Sequence, residues 1–74
     1  SKEGQATELL LMGLRLTEGV DLTRYEELAE KPIEGTRVET LRDIGMIEIE
    51  KSRLRVLPQG RMVLNSVLSE LLVD

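Results

Sequence analysis

The sequence predicts a small α+β domain, and three observations carry that expectation. Apolar residues recur at helical spacing near the start, where Ala6, Leu9, Leu10, Gly13 and Leu14 share one stripe. They alternate with charged residues in Met46-Ile47-Glu48-Ile49-Glu50 and again in Arg53-Leu54-Arg55-Val56. That is the period of strands with one covered face. After Pro58 the helical period returns, with Val63, Leu64, Val67, Leu68, Leu71 and Leu72 on one side.

Ser1 to Gln5 is polar and reads as a frayed lead-in. A first helix is expected from Ala6 to Leu16, rich in the strong formers Leu, Met and Glu. Gly13 costs about 1 kcal/mol there relative to Ala, so it marks a close approach of another backbone. Leu11 and Met12 fall off the main stripe, and Arg15 interrupts the apolar run. Gly19 suits the turn that ends this segment. Asp21 is a natural N-cap for a second helix over Leu22 to Ala29, with Leu22, Tyr25 and Leu28 facing inward. Pro32 forces a break, and Ile33 beside it reads as a buried anchor.

A third helix is expected from Thr36 to Ile44, burying Val38, Leu41 and Ile44, with Gly45 as a left-handed cap. The two alternating runs flank Lys51-Ser52 and form a β-hairpin, although the turn lacks Asn-Gly or Asp-Gly. Glu48 and Glu50 can pair across it with Arg53 and Arg55, each pair worth under about 1 kcal/mol when exposed. Pro58 opens a last helix reaching Leu72, with Arg61, Asn65, Ser69 and Glu70 on its polar side and Asp74 near the end. Leu10, Leu14 and their stripe are expected to face this helix and the hairpin. The order of three helices, a β-hairpin and a C-terminal helix is winged-helix-like.

The chain has 74 residues, spanning one domain from 1 to 74, with no cysteine and no histidine. Disulfides, iron–sulfur ligation, Cys or His nucleophiles and zinc sites are thereby excluded from this chain. Its one aromatic residue, Tyr25, offers no platform for stacking bases. A net charge of −4 disfavours nucleic acid and anionic lipid as partners. No apolar run approaches the roughly 20 residues that span a bilayer. With a polar start and no initiator methionine, the chain reads as an excised piece of a larger cytoplasmic protein, with Ser1 a vector remnant.

Three segments together resemble one family. They are Glu8-Leu9-Leu10-Leu11-Met12-Gly13-Leu14-Arg15-Leu16 with Glu18-Gly19-Val20-Asp21, Leu41 to Ile47 around Ile44-Gly45, and Pro58-Gln59-Gly60-Arg61 running on through Leu72. They are similar to the C-terminal domain of oxygen-independent coproporphyrinogen III oxidase-like radical SAM proteins. The Met-Gly-Leu-Arg-Leu form looks closest to the heme chaperone HemW subgroup. The resemblance covers about positions 7 to 72. One departure is Leu57, which stands where the family commonly has a capping Thr; losing such a cap costs about 1 kcal/mol.

The resemblance implies a non-catalytic domain that packs on a radical SAM catalytic domain of the same polypeptide and helps shape its substrate side. The parent would bind a 4Fe–4S cluster through a CxxxCxxC motif, S-adenosylmethionine and, in the chaperones, heme. None of those ligands lies in this chain, so no catalytic, cofactor-binding or metal-binding residue is assigned to it. Leu11, Met12 and Arg15 are the expected interdomain contacts. An excised domain would then show an exposed apolar patch there, or dimerise through it.

Other readings stand beside this one. A freestanding winged-helix module would bind DNA or another protein. Its third helix would be the recognition element, yet Glu34, Glu39 and Asp43 outnumber Arg37 and Arg42 there. Met12 could serve as an axial heme ligand, although a methionine on an apolar helix is usually packing. Arg15 could meet a propionate or simply snorkel at the helix end. Glu18 and Asp21 are close in sequence, where capping and solvating a turn explains them better than acid–base work.

Overall fold

The computed structural model describes residues 1–33 and 35–72. Its elements run α1 (Lys2–Gly13), β1 (Val20–Asp21), α2 (Leu22–Ala29), α3 (Gly35–Asp43), β2 (Ile47–Glu50), β3 (Arg53–Val56), α4 (Pro58–Arg61) and α5 (Leu64–Leu72). The class is α+β, as expected: five helices among the described residues and a three-stranded antiparallel sheet ordered β1-β3-β2. Asp74, expected near the end of the last helix, lies outside the described residues.

Helix α1 starts four residues earlier than Ala6, and the lead-in is helical rather than frayed. The reason is local. Ser1 Oγ accepts the Gly4 N–H at 3.1 Å, satisfying one of the donors that every helix start leaves unpaired. The helix also ends earlier, at Gly13. A Cβ there would run into the Val20 side chain and lie 3.3 Å from the Gly19 carbonyl oxygen. The returning chain thus lies directly against the helix, the close approach that Gly13 signals. Tighter bonds then carry the chain away, Arg15 N–H to Met12 O at 3.3 Å and Leu16 N–H to Gly13 O at 3.1 Å.

The two-residue β1 has no counterpart in the sequence reading. It pairs Val20 with Leu54 and Asp21 with Arg53. Asp21 then does a second job: its Oδ1 accepts the Thr23 N–H at 2.9 Å and caps α2. Helix α2 has the expected bounds and buries Leu22 and Tyr25. Ile33 is half-buried against the core.

Helix α3 buries Val38 and Leu41 but leaves Ile44 55% exposed, against expectation. Ile44 follows the last helical residue, where the chain is already turning. Gly45, at φ 79°, donates to Arg42 O at 3.0 Å and Met46 N–H donates to Leu41 O at 2.9 Å. That pair of bonds is the glycine-capped helix end in which the final carbonyls find partners.

The hairpin forms as expected. Ile47 faces Val56, Glu48 faces Arg55, Ile49 faces Leu54 and Glu50 faces Arg53. Lys51 and Ser52 both hold positive φ, 52° and 64°. This is the backbone that matches a two-residue hairpin to strand twist, reached here without the usual Asn-Gly.

The last helix is not continuous. It breaks at Met62-Val63 into α4 and α5, and Val63 is 44% exposed instead of joining the apolar face. Gly60 lies so close to the Met46 carbonyl oxygen that a Cβ would overlap it. This contact places α4 against the residue that precedes β2. Leu57 precedes α4 with no side-chain cap, as its departure from Thr implies.

Leu10, Leu14, Val20, Ile47, Leu54 and Val67 form the innermost layer, all below 2% or at 2% exposure. Leu68, Leu71, Val56 and Ala6 extend it. Helix α1 packs chiefly on α2 and β1, and α5 packs on α3. The hairpin and last helix are therefore not the main cover of the first helix.

Candidate functional site

The buried interior leaves no polar side chain without a partner among the described residues. Nor does it gather three acidic side chains at one point there. What stands out is apolar surface. Met12 is 68% exposed, Leu16 56% and Met62 87%. Met12 and Leu16 lie at the end of α1, whereas Met62 and Val63 lie at the α4–α5 break.

One hydrogen bond joins these two places. An Arg61 guanidinium nitrogen donates to the Arg15 carbonyl oxygen at 3.2 Å. Arg15 lies just past the end of α1, where among the described residues no backbone N–H donates to its carbonyl, so this acceptor would otherwise need water. The bond ties the end of α4, just before the break, to the chain just past the end of α1. Arg15 and Arg61 are both exposed, and among the described residues neither has a carboxylate at ion-pair distance.

Of the expected contact residues, Met12 and Arg15 are exposed as anticipated, while Leu11 is half-buried and packs partly on the core. Leu16, Met62 and Val63 were not anticipated. Leu16 was expected inside the first helix, and Val63 on the buried face of an unbroken last helix. Val63 is exposed where the helix breaks, Leu16 lies beyond the end of α1, and Met62 falls off the apolar face of the last helix.

The surface expected of a nucleic-acid reader is differently occupied. On α3, Arg37 pairs with Glu70 at 3.4 Å. In the hairpin, Arg55 sits between Glu48 and Glu50, 3.8 Å from each. Arg53 joins neither glutamate; it donates to the Glu18 carbonyl oxygen at 3.3 Å. These cations are already engaged, so they offer little to phosphates. A cavity of about 130 Å³ opens between α1, α2 and α5, lined by Ala6, Tyr25, Ile33 and Leu71 with Glu3 and Lys31. It is smaller than the roughly 300–1,000 Å³ of ordinary ligand pockets. No helix of the described residues is long and apolar enough to cross a membrane.

The model of the HemN C-terminal domain family matches residues 1–63. The chain belongs to this family, the C-terminal domain of HemN-like radical SAM proteins. The matched span runs from α1 through α4 to the break at Val63; α5 lies beyond it. No curated protein and no solved structure matches the chain.

Proposed function

We propose that this HemN C-terminal domain is a non-catalytic accessory domain that docks on a radical SAM catalytic domain in the same cytoplasmic polypeptide. Docking would use the outer side of the end of α1, with Leu11, Met12 and Arg15. The parent would act in porphyrin or heme metabolism, as a coproporphyrinogen oxidase-like enzyme or a HemW-type heme chaperone. The observation that carries the reading is the family match over residues 1–63 in a chain that leaves Met12 and Leu16, at the end of α1, and Met62 and Val63, at the α4–α5 break, exposed. Covering apolar surface is the largest favourable term a docking domain can offer.

With neither cysteine nor histidine, this chain does not fit the ligands of a 4Fe–4S cluster. The cluster, S-adenosylmethionine and the chemistry they supply belong to the catalytic domain. What this domain would contribute is a wall that shapes or covers the substrate side and limits water. The sheet order β1-β3-β2 with the helices before the hairpin supports a winged-helix-like scaffold for this role, used for a protein contact instead of DNA. The gene itself supplies the first test. Coding sequence upstream should contain CxxxCxxC; a gene without those cysteines would sink the proposal.

A further inference from the structure

Two features have no explanation within the domain. The first is the break at Met62-Val63, which leaves Val63 exposed in a helix whose sequence period would allow it cover, beside the exposed Met62. The second is that Arg61, just before the break, and Arg15, whose carbonyl it binds, are exposed and have no carboxylate at ion-pair distance among the described residues of a chain with net charge −4.

We infer that Met12, Leu16, Met62 and Val63, flanked by Arg15 and Arg61, form a single docking surface for an apolar, carboxylate-bearing face of the catalytic domain in the same polypeptide. The inference rests on the accessory-domain reading and names the surface that serves it. The Arg61 bond to the Arg15 carbonyl is the positioning element: it ties the segment that carries Met62 and Val63 to the segment that carries Met12 and Leu16, 46 positions apart from Arg15 to Arg61. Both arginines are exposed, and their fork-shaped donors suit carboxylates, which they meet in two parallel bonds.

Area selects a tethered partner over a second copy. The four apolar side chains expose on the order of a few hundred Å², a size at which an exposed patch is often functional. A stable free dimer needs about 800 Å² from each partner. A contact within one polypeptide needs less, because a short tether supplies an effective concentration on the order of mM. Charge selects against the other large partner, since nucleic acid meets a chain of net charge −4.

Hydroxyl-radical footprinting read residue by residue in a mass spectrometer tests this. The 74-residue chain is compared with the longer polypeptide that the accessory-domain reading requires, using Pro32 and Ile33 beside the cavity as controls. Met12, Leu16 and Met62 should be oxidised at least about fivefold more slowly in the longer polypeptide, as expected for a desolvated contact, with the controls unchanged. Equal rates at every site in both proteins would overturn this surface and the accessory-docking reading together. Protection at Pro32 and Ile33 with Met12 and Met62 unchanged would overturn the surface alone, because the domain would then dock by its other end. Protection that grows with concentration in the 74-residue chain would instead identify a second copy as the occupant, against the inference. Met62→Glu in the longer polypeptide should return Met12 to its free oxidation rate; a rate that stays low would show that the two apolar pairs do not share one contact.

Discussion

The hairpin and the α4–α5 break handle their surfaces in opposite ways. On the hairpin, Ile47, Leu54 and Val56 point inward, and Arg55 outside is balanced by Glu48 and Glu50. At the break, apolar side chains point outward and the nearby arginines have no carboxylate among the described residues. The first surface is finished against water. The second is complete only with something laid on it. The contrast separates a solvated face from a docking face without appeal to any motif.

Glycine shows the same contrast, and it supplies the largest expected effect. Gly60 meets a backbone carbonyl, which cannot rotate aside. Gly60→Ala should destabilise the chain by about 3 kcal/mol, the upper range of overpacking costs. For a domain of this size that lowers the melting temperature by more than about 10 °C. Gly45 has positive φ, but a Cβ there would meet only the Gln59 side chain at 3.4 Å. Gly45→Ala should therefore cost only about 1–2 kcal/mol, the left-handed backbone penalty. Equal losses for the two variants would mean that α4 is not anchored through Gly60.

The hairpin tip gives a smaller effect of the opposite sign. Lys51 and Ser52 hold left-handed conformations that Asn and Gly adopt with less strain. Lys51→Asn with Ser52→Gly should stabilise the chain by about 1 kcal/mol in urea unfolding. No gain would show that the turn is held by other contacts. Smallest of all, Arg55→Ala should change stability by less than about 0.5 kcal/mol, since its glutamate pairs are long and solvent-exposed. A larger loss would show that the hairpin face is more than solvated charge.

The parts of the fold legible in sequence are those with local causes. Asp21 announces α2 because a capping carboxylate acts within two residues. The alternation over Met46 to Val56 announces the hairpin because each strand repeats its own period. Strand β1 is two residues long, too short to show any period, and exists because β3 offers an edge. The last helix breaks two residues after Gly60, which lies against Met46, a residue fourteen positions away that no helical wheel includes. The same limit governs the site. Met12 and Arg15 stand out as misfits in an apolar run, whereas Val63 becomes surface where the last helix breaks and Leu16 where α1 ends early.

The most direct test of the docking account uses Met12→Glu and Met62→Glu together. In the 74-residue chain both positions are exposed, so the melting temperature should shift by no more than about 2–3 °C. In the longer polypeptide the same pair should uncouple the domain, so that calorimetry resolves two transitions where the unsubstituted protein gives one cooperative transition. A single unchanged transition in the substituted polypeptide would contradict the account.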